Sequence, residues 1–266
     1  MRRSASFSVT KALSAAIAGL PAVWGGAGLA LLLLWATAVG GPLLVLQHPS
    51  AWLCLALVAL VAIFKVISLG ALYRTALFGK EARKEGLGPL GLQFGLPEVR
   101  LIVASLLVLL FVAFIAAAIA IVLMVGFRMN DVDPLHAGPW GLAGAAIAQL
   151  LLLFVLVKFS LLHAANIAQR KLVTLNALGL TSGQAGKLFF GIVVLSLPFA
   201  LLCAGVVHQF APEIRLAQAL PYPWLNQRMS LVLYGGLLLL QVGVLLPLLT
   251  GFFASAYRQI ERLRAE

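Results

Sequence analysis

Acidic residues are scarce in this chain: eight Asp and Glu stand against nineteen Lys and Arg in 266 residues, and charged residues make up only 10%. No long polar stretch separates the apolar runs, which leaves little room for a soluble domain of ordinary composition. Only two cysteines occur, Cys54 and Cys203, both inside apolar runs. That excludes a disulfide framework and a CxxC zinc pattern, and suits small apolar filler. GxSxG, HExxH and Walker A sequences are missing too. The NDVDP stretch at 130–134 lacks the second aspartate cluster that a prenyl-transfer site would need. The expectation is a protein that is not an enzyme and holds no cofactor or metal.

What remains is apolar: 62% of residues are hydrophobic and the mean hydropathy is +1.07. Six runs are long enough to cross a bilayer, for which about 20 apolar residues suffice. They predict spans at about 22–39, 51–73, 97–126, 141–165, 187–207 and 229–254. The predicted class is all-α: a polytopic membrane protein with six transmembrane helices and both termini cytoplasmic. The first run, preceded by Arg2 and Arg3 and ending in small residues, imitates a signal peptide. Its position favours a retained span.

Direction follows from charge. The segment RTALFGKEARKEGLGPLGLQFGLPEVR, Arg74 to Arg100, carries five basic residues between two apolar runs. Such charges stay on the side of synthesis. With that segment inside, fourteen of the nineteen cations fall on inner segments. Three, Arg128, Arg215 and Arg228, fall outside, and Lys65 and Lys158 lie within spans. Trp35, Trp52, Trp140 and Trp224 then mark the outer interface, with Trp24, Tyr73 and Tyr257 near the inner one. The basic excess faces anionic inner-leaflet lipids, and nucleic acid is not needed to explain it.

Residues 1–266 read as a single integral membrane domain. A division into units 1–74, 75–166 and 167–266 gives each unit an amphipathic stretch followed by a hairpin. The first stretch, Ser8 to Leu20, has helical apolar spacing and is predicted to end at Pro21. Two readings of this regularity stand: a parallel repeat about a threefold axis, or the trivial pairing of any even number of spans. Thr181 and Gln184 have capping-box spacing before the fifth span.

Candidate site residues are few. Lys65 lies nine residues from Arg74, about 13 Å of helix rise, and so deep in the bilayer. Lys158 is placed similarly in the fourth span. One reading has both lining a basic inner cavity, with Arg100 and Lys187 at its mouth and Glu98 as the nearest acid, to bind a lipid headgroup or other anion. The other has each ammonium snorkelling to the interface. His163 and Asn166 read as an interfacial polar pair. Asn130, Asp131, Asp133 and His136 read as a polar turn before Pro134. Pro198 and Pro247 should free the carbonyls of Val194 and Gly243. Gly25, Gly26, Gly28, Gly235, Gly236 and Gly243 should permit close helix approach.

The stretches FSVTKAL at the start, FGLPEVR before the third span and LGLTSGQAGKLF before the fifth carry a resemblance. With them the chain resembles a group of uncharacterised six-span bacterial inner-membrane proteins. It is also similar to the membrane region fused to some glycerophosphodiester phosphodiesterases. The soluble phosphodiesterase barrel is missing, so the resemblance implies a multi-pass inner-membrane location and no activity. Two functions follow as expectations. One is an accessory or scaffold subunit binding anionic lipids and other membrane subunits. The other is a small transporter or lipid-handling permease. Reporter fusions at the Lys80–Lys84 region and after the final RLRAE should report the same, cytoplasmic, compartment.

Overall fold

The computed structural model describes residues 7–129, 138–219 and 223–265. The loop with Asn130, Asp131, Asp133 and His136 lies outside the described residues, as do the side chains of Trp140, Arg215, Trp224 and Arg228. The chain is 87% helical, with no strand among the described residues. Six stretches are long and apolar enough to cross a membrane: Val9–Gln47, Ala51–Glu81, Pro89–Gly126, Ala143–Gln169, Ala185–Phe210 and Leu231–Arg264. This is a polytopic membrane protein.

Helix α1 is Val9–Gln47, capped by Ser8, whose side chain accepts from the Lys11 N–H. The break expected at Pro21 does not occur, and the amphipathic start and the first span form one helix. At 1.5 Å per residue it is about 58 Å long, well beyond the ~30 Å hydrocarbon thickness. Pro21 is exposed, so its ring displaces no packed neighbour. Helix α2, Ala51–Phe78, runs five residues past the predicted end of its span and carries Arg74 into the fold. The basic segment after it is not helical throughout. It forms 3-10 turns at Gly79–Glu81 and Pro89–Gly91, with positive φ at Gly79, Gly86 and Gly91.

Helices α3 (Leu96–Met129) and α4 (Gly138–Lys158) make the second hairpin. A turn at 159–161 separates α4 from α5 (Leu162–Gln169), where one unbroken span was expected. The one-turn α6 (Ala177–Leu180) precedes α7 (Ala185–Ala219). Thr181 is not the cap of α7. The first α7 bond goes to the Gln184 carbonyl, and the Thr181 hydroxyl donates instead to the carbonyls of Lys158 and Leu178. Much of the expected turn-rich outer loop is helix, since α7 runs to Ala219 and α8 (Pro223–Leu240) starts four residues later. A π-helical segment, Gln241–Leu245, joins α8 to α9 (Leu246–Ala265). The three pre-span stretches thus take three forms: a helix fused to its span, a 3-10 turn with extended chain, and a single helical turn.

The ends of the helices define one basic rim. The Ser8 N–H donates to Gln259 Oε1 at 3.0 Å, Arg258 donates to the Leu77 carbonyl, and Arg264 to the Gly179 carbonyl. Both ends of the described chain therefore sit on the same side. The main core lies at this rim, with Phe7, Tyr73, Leu101, Leu161, Leu188, Phe252 and Tyr257 all buried. Away from it the buried positions among the described residues include Leu31, Leu34 and Gly41 of α1 and Gly235 of α8. The far halves of the other helices expose Trp52, Val58, Phe114, Val122, Leu150 and Leu201, each more than 60% accessible and suited to lipid. Packing is densest at the basic rim, and beyond it α1 and α8 stay in contact, with the Trp35 indole donating to the Gly235 carbonyl.

Small residues set the closest approaches. The Thr75 hydroxyl lies where a Cβ on Gly26 would stand, 2.6 Å away, and Gly91 (φ +82°) presses on Gly26 and Ala27. Gly25, Gly28, Gly236 and Gly243 have no such neighbour. Proline-freed carbonyls are the other fixed points. Pro247 cannot bond Gly243, and the Trp24 indole N–H donates to that carbonyl at 2.6 Å, across the bundle. Pro42 likewise frees the Ala38 carbonyl, which the Tyr234 hydroxyl approaches at 3.5 Å. Trp24→Phe should cost about 1 kcal/mol of stability in detergent unfolding. The same change in a Pro247→Ala background should cost less, because the alanine N–H then satisfies Gly243.

Candidate functional site: a basic cleft between α2, α3 and α5

The cleft is built on a buried ion pair. Arg74 projects from the last turns of α2 and Glu98 from the first turn of α3, and Arg74 Nη1 donates to Glu98 Oε1 at 2.5 Å. Their side chains are 3% and 1% accessible. Glu98 Oε2 also accepts from the Gly95 N–H at 2.9 Å, while the Gly95 carbonyl takes the first α3 bond. The carboxylate thus caps its own helix and neutralises Arg74. Gly70 makes room, since a Cβ there would stand 2.5 Å from Glu98 Oε1.

Above this pair is a cleft of ≈ 390 Å³ lined by Arg74, Lys84, Arg100 and Arg170, with Glu85 and Asn166 among its polar wall. Phe78, Leu96, Pro97 and Ile167 supply apolar wall. Arg100 donates to the Arg170 carbonyl, and Arg170 pairs with Glu85. Arg170 ends α5 in a left-handed conformation (φ 52°), unusual for a residue with a side chain. Asn166 holds it there: its amide donates to the Leu162 and Val173 carbonyls and its carbonyl accepts the Val173 N–H. This two-way clamp across seven residues replaces the interfacial pair expected of His163 and Asn166. His163 instead packs on Tyr73, ring centroids 6.1 Å apart.

The expected site residues divide. Arg100 lines the cleft, and Glu98 lies beneath it through Arg74. Lys65, Lys158 and Lys187 do not line it. Lys65 is exposed on α2, and Lys158 is half-buried with its ammonium 5.4 Å from the Phe154 ring centroid, a cation–π contact. Lys187 is exposed and reaches the Phe7 carbonyl at 3.4 Å, helping to hold the start of the chain on the rim. Arg74, Lys84, Glu85 and Arg170 were missed as site residues. The signal available was the density of charge just outside spans two and four. Among the described residues there is no group of three or more His, Cys, Asp or Glu that could hold a metal ion.

No family model matches the chain, and comparison with curated proteins and with solved structures gave no match.

Replacing Glu98 with Leu should strand a buried guanidinium and cost about 3–5 kcal/mol, read as a large fall in thermal stability. Combining it with Arg74→Met should recover most of the loss, since two apolar side chains can fill the space of the pair.

Proposed function

We propose that this is a non-catalytic integral protein of the bacterial inner membrane, an accessory or scaffold subunit that binds anionic inner-leaflet lipid and packs against partner helices. The observation that supports it most is the division of the molecule. Cationic side chains gather at a rim closed by a packed core, and the helix halves beyond it present apolar surface. The rim is the cytoplasmic side on the charge asymmetry of the sequence, so its cations face acidic headgroups. The resemblance to six-span inner-membrane proteins points to the same location. Arg100 and Lys187 contribute to the positive field of this rim, whereas Lys65 and Lys158 lie within spans.

A second reading, a small permease, draws on Lys65, an exposed amine within a span, and on buried polar atoms without a hydrogen-bond partner among the described residues. They include Ser68 Oγ on α2 and Ser160 Oγ and His163 Nδ1 at the α4–α5 junction. Lys65→Ala and Lys158→Ala separate the two. The scaffold role expects unchanged lipid binding, and the permease expects lost binding with normal folding.

Native mass spectrometry from mild detergent should show acidic phospholipid, or companion subunits, retained on the protein. Nanodiscs containing phosphatidylglycerol should raise the unfolding temperature over phosphatidylcholine alone. The stabilisation is worth about 2.7 kcal/mol where lipid stands at a hundredfold its Kd. Equal stability in the two lipids would count against the proposal.

A further inference from the structure

Four cations meet two carboxylates at the cleft. Glu98 is spent on Arg74 and Glu85 on Arg170, so two positive charges are left uncompensated. One is Arg100, which uses a single N–H on the Arg170 carbonyl and keeps the other donors of its guanidinium. The other is Lys84, exposed at the mouth, with no ion-pair partner among the described residues. A planar guanidinium, an ammonium and a second, partly engaged guanidinium around one open space form a phosphate-binding arrangement, with forked donors to match tetrahedral oxygens.

What surrounds the charges selects the carrier. The chain entering α3 is extended at Leu92 and exposes Leu90, Leu92, Phe94 and Leu96, at 63%, 37%, 56% and 71%. Leu96 lines the cleft itself, and an apolar side chain so exposed beside a cationic opening belongs at the headgroup–acyl boundary rather than in water. From Leu96 the exposed stripe continues up α3 through Val99, Val103, Leu106 and Leu110, on the lipid side of the cleft. The bundle-facing stripe is the other one: Glu98, Leu101, Ala104, Val108 and Phe111.

We infer that the cleft between α2, α3 and α5 is a site for one anionic phospholipid. Its phosphate would lie between Arg100, Lys84 and Arg170, and its acyl chains along the exposed stripe of α3. This rests on the lipid-binding role proposed above and assigns it a place and a ligand. Glu85 acts as an internal competitor, holding Arg170 until the phosphate displaces it.

The test uses the full chain in phosphatidylcholine nanodiscs, titrated with phosphatidic acid and, separately, with glycerol 3-phosphate, binding being read by native mass spectrometry and thermal shift. Lys84→Gln and Arg100→Gln should each weaken phosphatidic acid binding about tenfold, the worth of one charge-assisted hydrogen bond. Lys80→Gln and Arg83→Gln, exposed cations on the same segment but outside the cleft, should leave it unchanged, and Glu85→Gln should tighten it. Unfolding in phosphatidylcholine alone reports folding. If Arg100→Gln melts early, Lys84→Gln still decides, because the exposed Lys84 side chain holds nothing in place. Equal losses in all four cation variants would overturn the cleft and leave a diffuse lipid-binding role standing. No preference of the wild type for phosphatidic acid would remove that role as well. Glycerol 3-phosphate binding as tightly as the lipid would overturn the membrane source in favour of a soluble phosphate.

Discussion

The Arg74–Glu98 pair fixes the geometry of the basic rim. The end of α2 and the start of α3 are joined there by a short bond between nearly inaccessible charges. The same carboxylate closes the first turn of α3. An ion pair with so little water around it is stable only while both partners and the capping N–H are in place. That couples three features that could otherwise vary separately: the length of α2, the start of α3 and the path of the loop between them. Gly70 and Gly91 are the backbone side of the same arrangement. One leaves space for the carboxylate, and the other lets the loop lie against α1.

Over that foundation the remaining charges are arranged by main-chain hydrogen bonds more than by one another. Arg100 reaches the Arg170 carbonyl, Lys187 the Phe7 carbonyl, Arg258 the Leu77 carbonyl and Arg264 the Gly179 carbonyl. A carbonyl oxygen near a helix end has acceptor capacity to spare, and long cationic side chains reach it. With so few acids in the sequence, this use of the backbone keeps a strongly basic rim compact and still leaves charge to spare.

The spans, their number and the gathering of charge at one rim were legible in the sequence, because apolar length and the Lys and Arg distribution need no knowledge of packing. The carbonyl freed by Pro247 was legible too, since a proline removes a known bond; that Trp24 answers it was not, because the two are 219 residues apart. The extension of α2 to Phe78 was hidden by Arg74, which reads as a loop charge until Glu98 is seen beside it. Pro21 suggested a helix end, yet the helix continues because the lost bond falls on an exposed face. Thr181 and Gln184 matched a capping pattern, but the hydroxyl was claimed by the end of α4. Of the site, Arg100 and Glu98 could be named from position alone. Lys84, Glu85 and Arg170 could not, since their meeting depends on the turn that Asn166 holds.

The contacts that close the bundle pair the first span with the sixth, far apart in the sequence. Trp24 answers Gly243, Trp35 answers Gly235 at 2.8 Å, and the Ser8 N–H meets Gln259. None of these can exist while the ribosome is still making the fifth span. The nascent α1–α2 hairpin must therefore wait in the bilayer without these partners for its indole donors, and arrival of the sixth span is the event that locks it.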